Sequence, residues 1–164
     1  MNIVPVAISY ELEPCDRMKV IATYTSLTGI YEKSHHEDVF SIMNGISQPK
    51  GDVHIHVCKP ITPEEIALCA SYNKNERFNA LSKLLDQRIH KGYKLHKSNY
   101  IASDLLNCSA RFEDHYTTEQ MESFIDYVEH ASYKGPSMAA ESKLTDLFLE
   151  MYAKPVENQM KVES

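Results

Sequence analysis

Only two stretches of this chain read as β-strand, Ile3–Glu11 and Val53–Cys58, while everything after Thr62 carries helical patterning. In the first stretch an apolar run with one proline extends from Ile3 to Ile8 and gives way to Ser9, Tyr10 and Glu11. An unbroken run of this kind predicts a strand buried on both faces, in the middle of a parallel sheet. Two strands seldom make a stable sheet by themselves, so the sequence reads as part of something larger.

The second strand alternates strictly. Val53, Ile55 and Val57 point one way, and His54, His56 and Cys58 the other. About forty residues separate the two strands, enough for a helical crossover, so a right-handed parallel βαβ unit is expected. Within that connection Glu13-Pro14-Cys15-Asp16 predicts a turn with Asp16 as helix cap. A helix then runs from about Arg17 to Leu27, with Met18, Ile21, Ala22 and Thr25 at helical spacing. A short apolar helix, Val39–Met43, is expected to stop at Asn44-Gly45, because both residues tolerate the left-handed conformation of a C-terminal cap.

Beyond this point the signals are helical. Thr62-Pro63-Glu64-Glu65 combines a capping box with proline at the first helical position, and Thr117-Thr118-Glu119-Gln120 offers a second box. Between them, Phe78, Leu81, Leu84, Leu85 and Ile89 form a stripe ending near Gly92, and a further run passes through Ile101, Leu105 and Leu106. After the second box come Met121, Phe124, Ile125 and Val128. Gly135-Pro136 predicts a break, and Leu144, Leu147, Phe148, Met151 and Tyr152 predict a last helix closed by Pro155. These stripes read as core rather than membrane-inserting faces. The expected organisation is an α/β portion over 1–61, a helical region over 62–155 and a frayed tail over 156–164.

Composition narrows the function classes. Seventeen Lys and Arg against 23 Asp and Glu give a net charge of -6 and argue against a nucleic-acid-binding surface. The apolar runs are too short for a transmembrane helix, and the N-terminus lacks the pattern of a secretory signal, so a cytoplasmic location is expected. Cys15, Cys58, Cys69 and Cys108 are widely spaced and read as reduced structural thiols rather than a zinc or disulfide framework.

Three constellations carry some chemical promise. His54 and His56 share a strand face, a geometry that suits zinc or copper, and His35-His36-Glu37-Asp38 is rich in ligand types. No third ligand is visible from sequence, and such pairs are more often surface residues. Cys58 beside that pair has the residue types of a thiol nucleophile with a histidine base, but a strand cysteine behaves mainly as a small buried hydrophobe. The one cationic cluster, Arg88, His90, Lys91, Lys94, His96 and Lys97, is interleaved with Tyr93. It suits anionic lipid headgroups or an acidic carrier protein, although cations at a helix end also offset the helix dipole.

Taken together, Val4-Pro5-Val6-Ala7-Ile8-Ser9-Tyr10-Glu11 with Glu13-Pro14-Cys15-Asp16 resembles the last conserved block of the glycerolipid acyltransferases, of the bacterial 1-acylglycerol-3-phosphate acyltransferase type. Lys50-Gly51-Asp52-Val53-His54 and Lys59-Pro60-Ile61 resemble the strand and turn that follow it. Asn79-Ala80-Leu81 to His90, Asn99-Tyr100-Ile101-Ala102 with Asp104-Leu105-Leu106, and Met151-Tyr152-Ala153 with Pro155 and Asn158 resemble the helical C-terminal region of one bacterial branch. The resemblance spans nearly the whole chain.

It implies an acyltransferase-type sheet and acyl transfer from an acyl-CoA or acyl carrier protein thioester to a lysophospholipid or glycerol-phosphate hydroxyl, at the inner membrane face, with no tightly bound cofactor and no metal. The family's histidine, in a His-x-x-x-x-Asp motif, removes the hydroxyl proton. That motif is missing here: five positions beyond the eight histidines lie Phe40, Ser41, Lys59, Ile61, Leu95, Ile101, Gln120 and Gly135. The family's Glu-Gly motif is missing too.

The expectation is therefore a C-terminal acyltransferase portion, inactive alone and without a catalytic residue of its own. Val4, Pro5 and Val6 would support the acceptor pocket, and Arg88, Lys91, Lys94 and Lys97 would meet membrane or carrier. Self-association is expected if part of the sheet is uncovered. The competing expectation is a non-catalytic helical binding or assembly module.

Overall fold

The computed structural model describes residues 3–133 and 138–163, with the side chains at 75, 138, 139 and 163 outside the description. The elements in order are β1 (Val6–Tyr10), α1 (Asp16–Thr28), α2 (Glu37–Ser47), β2 (Val53–Val57), α3 (Pro63–Ala70), α4 (Lys74–Gly92), α5 (Lys97–Asn107), a 3-10 turn at Glu113–His115, α6 (Thr118–Ser132) and α7 (Met138–Glu163). The chain is mixed α/β and mostly helical. The expected break at Gly135-Pro136 lies outside the described residues.

The two strands pair with each other, but antiparallel, with Val6 opposite Val57, Ile8 opposite Ile55 and Tyr10 opposite Val53. This corrects the parallel βαβ expectation. The chain leaves the sheet at Tyr10 and re-enters it at Val53, directly opposite, so the pair is a hairpin with two helices inserted at its turn. Two bonds beyond the strands, from Glu11 N–H to the Asp52 carbonyl and from Leu12 N–H to the Lys50 carbonyl, close that end. Gly51 makes the closure at φ +59°. A Cβ there would lie 2.6 Å from the Glu11 carboxylate, which accepts the Asp52 N–H at 3.0 Å.

Both capping boxes form. Thr62 and Glu65 exchange side-chain-to-backbone bonds of 2.8 and 3.3 Å at the start of α3, and Thr117 and Gln120 exchange bonds of 3.0 and 3.3 Å at the start of α6. Other boundaries differ from expectation. Asp16 is the first residue of α1 and Cys15 its cap; the Asp16 carboxylate is occupied by Tyr127 and Tyr152 instead. Helix α2 runs through Asn44 and Gly45 to Ser47, since neither takes a left-handed conformation. Pro155 lies inside α7 and does not close it. A proline there leaves the Met151 carbonyl without its helical partner, but Tyr152, Ala153 and Val156 are all buried and hold the turn in place. The expected loose tail is accordingly helical to Glu163.

The main core is built by α1, α5, α6 and α7. Val20, Ile101, Ala102, Phe124, Val128, Leu144, Leu147, Phe148, Tyr152 and Ala153 form it, with α7 in contact with each of the other three helices and with α4. The stripe on α4 is only half-buried and stays outside this cluster. Against one face of the hairpin lie α5 and the end of α4. Gly92 ends α4 where an added Cβ would sit 2.5 Å from the His56 ring, so the helix approaches β2 closely at that point.

Candidate functional site

Strand β1 is buried on one face only, which corrects the expectation of a strand covered on both. Ala7 and Ser9 are 1 % exposed, whereas Val4, Val6 and Ile8 are 46 %, 45 % and 46 % exposed. Pro5 lies on the buried side, so Val4, Pro5 and Val6 do not form one surface. The antiparallel register places Val53, Ile55 and Val57, all exposed, on the same face as Val6 and Ile8. The histidine side of β2 is therefore the one turned toward α4 and α5. The result is a flat apolar sheet face open to solvent.

Beside this face Val6 and Ile8 border a groove of about 440 Å³ whose other wall is Ile89, His90 and Tyr93 from the end of α4, with Pro155 and Asn158 from α7. A smaller cavity of about 200 Å³ shares Ile8, Tyr93 and Pro155 with it and continues past Tyr10 to Glu13 and Lys19. Lys19 and Glu13 form an ion pair of 3.1 Å at that end. Gln159 fastens the wall by donating to the backbone carbonyls of His90 and Tyr93. Burial, with the Glu13 carboxylate adding to it, pushes the Tyr93 hydroxyl above its ordinary value and keeps it protonated. The two cavities together are lined mainly by apolar side chains, with His90 and Asn158 in the larger one and Glu13 and Lys19 in the smaller.

The opposite face of β1 is closed. His96, 5 % exposed, places Nε2 3.2 Å from the Ser9 hydroxyl, and Ser98 donates to the Glu11 carbonyl at 2.6 Å. Burial, reinforced by the Lys94 cation, holds the His96 ring below its ordinary pKa. A serine and a histidine at this distance resemble a nucleophile and its base, but no substrate reaches a fully buried Ser9. Their role is to seat α5 on the sheet. Sequence gave no sign of the pairing, since Ser9 read as a strand edge and His96 as part of a basic run.

The cationic residues disperse. Arg88 makes a two-pronged bond to Glu65, at 2.5 and 2.7 Å, and donates to the Lys59 and Pro60 carbonyls, so it ties α4 to α3. Lys97 pairs with Glu11 at 2.8 Å. That contact and the Asp52 N–H outweigh burial and hold the Glu11 carboxyl below its ordinary value. Lys91 and Lys94 are exposed.

Cys58 is buried, its thiol directed at the Arg88 carbonyl 3.4 Å away. The His54 and His56 rings stack with centroids 6.4 Å apart. Among the described residues no group of three or more His, Cys, Asp or Glu side chains is placed to hold a metal ion, and no helix is long and apolar enough to cross a membrane. Comparison with family models, curated proteins and solved structures returns no match.

Proposed function

We propose that this chain is the C-terminal portion of a glycerolipid acyltransferase, whose parent activity moves an acyl group from a CoA or carrier-protein thioester to a lysophospholipid or glycerol-phosphate hydroxyl. The observation that carries this reading is the trough beside β1. Three separately resembling segments meet there: Val6 and Ile8 from the first block, His90 from the first helical segment, and Pro155 with Asn158 from the last. Its apolar walls suit an acyl chain. The open face formed by Val6, Ile8, Val53, Ile55 and Val57 suits a further layer of protein carrying the histidine base that this sequence lacks. The parent would act as a peripheral enzyme at the inner membrane face, with Lys91 and Lys94 as the cations left for headgroups or carrier.

Acyl transfer to lysophosphatidate, assayed with this polypeptide and with one extended upstream in frame, tests the reading. We expect turnover only in the extended form, and there Val6→Asp, which places a charge at the trough wall, lowers kcat/KM by at least about tenfold. Turnover by the short chain, or an upstream frame without His-x-x-x-x-Asp, refutes it. The second outcome moves the assignment to a non-catalytic assembly module.

A further inference from the structure

Strand β2 reads the same in both directions, Val53-His54-Ile55-His56-Val57, and it forms an open edge of the sheet. Its ladder with β1 is bonded at Pro5–Cys58 and at Glu11–Asp52. An antiparallel register alternates, so the bonds between those two fall at Ala7–His56 and Ser9–His54, and the N–H and C=O groups of Val53, Ile55 and Val57 point away from β1. Among the described residues those outward groups meet no backbone partner. Helices α4 and α7 stand beside β1, whereas the main packing of β2 is against β1. The histidines are incomplete in the same way. Their rings lie side by side with centroids 6.4 Å apart, and neither is hydrogen-bonded or ion-paired among the described residues. Although this side of the sheet faces α4, that helix ends at Gly92 and leaves His56 exposed and His54 half-buried. Two imidazoles are half of a tetrahedral zinc set, and among the described residues no third His, Cys, Asp or Glu stands near enough to extend it.

We infer that two copies of this chain join β2 to β2, antiparallel about a two-fold axis at Ile55, and that the four histidines so assembled hold one zinc ion. The palindrome selects a second copy as the occupant of this edge. Centred on Ile55, it sets Val53 opposite the partner's Val57, His54 opposite the partner's His56, and Ile55 opposite the partner's Ile55. The outward groups of Val53, Ile55 and Val57 then exchange up to about six backbone bonds with their own counterparts. The histidines take the intervening positions, where facing Cα atoms approach to about 4.5 Å, and all four rings rise on one side of the widened sheet. The axis passes between them, so an ion on it meets two imidazoles from each copy, at the bond length of about 2.0–2.1 Å that zinc requires. On the other side Val faces Val and Ile faces Ile, the pairs that stabilise a β-ladder. A strand of unrelated sequence would satisfy the edge but leave the ion with two ligands. The inference stands apart from the acyltransferase reading, since it uses the edge of β2 and its histidines and not the trough.

Titration of the full chain with zinc chloride by calorimetry, together with sedimentation equilibrium in zinc or in EDTA, tests it. We expect one zinc per two chains, and a monomer–dimer equilibrium at least about tenfold tighter in zinc than in EDTA, because an ion that binds only the dimer draws the equilibrium toward it. His54→Gln and His56→Gln each take two of the four ligands from the dimer. Either should abolish the zinc dependence with an unchanged circular dichroism spectrum. His35→Gln with His36→Gln should change nothing. Ile55→Lys, which sets two ammonium groups face to face at the axis, should weaken the zinc-bound dimer at least about tenfold. Should Ile55→Lys fail to fold, the two glutamine variants carry the comparison. One zinc per chain without association overturns the inference, and so does a dimer indifferent to zinc and EDTA. Zinc binding that survives His54→Gln with His56→Gln, or no binding at micromolar zinc, overturns it as well.

Discussion

Tyr152→Phe probes the joint between the sheet and the helical body. The Tyr152 hydroxyl donates to Asp16 Oδ2 at 2.8 Å and accepts the Glu13 N–H at 2.9 Å, so one oxygen links α7 to the turn that follows β1. Tyr127 donates to the same carboxylate oxygen. Burial first, and then the Asp16 charge, pushes the Tyr152 hydroxyl far above its ordinary value, so it remains a donor at every pH at which the protein folds. Removing the oxygen leaves the ring in place, edge-on to Phe124 at 5.3 Å, and opens no large cavity. The cost is then one hydrogen bond to a charged acceptor plus a half-buried N–H left without a partner, together about 2–3 kcal/mol. Tyr127→Phe removes only a donated bond and should cost about 1.5 kcal/mol. Urea denaturation followed by circular dichroism measures both, with m unchanged between variants. A Tyr152→Phe cost below about 0.5 kcal/mol, or one smaller than that of Tyr127→Phe, would refute the view that this hydroxyl bridges the two parts.

Asp104→Ala should be among the most damaging single changes, costing about 3–5 kcal/mol, because this buried carboxylate gathers Ser109 Oγ, the Arg111 and Phe112 N–H groups and the Tyr116 hydroxyl, and all four lose their acceptor together. The measurement is the urea midpoint, and a loss under 1 kcal/mol, on the scale of a neutral surface change, argues against it. Acid stability should fall in two stages. His96 sits below its ordinary value of 6.5, so the unfolded chain takes up that proton first. Its contribution is complete above that value and declines as pH drops through it, and His96→Gln should flatten this upper stage in a pH series of thermal melts. Asp104 and Glu11 are held below their ordinary values against the opposing effect of burial, so their contributions persist to lower pH and are lost as pH falls through their folded pKa values.

Local chemistry was legible in the sequence where it is self-contained. The two capping boxes need only residues three apart, and both formed. The stripe Leu144, Leu147, Phe148 and Tyr152 became core because one long helix face has nowhere else to go. Strand pairing was misread because an apolar run does not say which neighbour it takes. Val4, Val6 and Ile8 alternate with Pro5, Ala7 and Ser9, and only the smaller set is buried, a pattern masked by the lack of polar residues before Ser9. The groups that join distant segments, Asp16 with Tyr127 and Tyr152, or Ser9 with His96, have sequence separations of 87 to 136 and leave no periodic trace.

The chain carries two uncovered apolar surfaces, one on the hairpin and one on α2. The hairpin face is flat, two strands wide and flanked by a trough, so it is completed by a layer laid across it, as helices or further strands cover a sheet. The α2 ridge is narrow, with Val39, Ile42, Met43 and Ile46 on one exposed stripe. Because the two surfaces lie on separate elements, substitutions on one should leave the other's behaviour intact. Ile42→Glu should leave acyl transfer by the extended polypeptide unchanged, whereas Val6→Asp lowers it. If Ile42→Glu instead lowers turnover as much as Val6→Asp does, the surfaces belong to one continuous interface, and the partner that covers the sheet also covers α2.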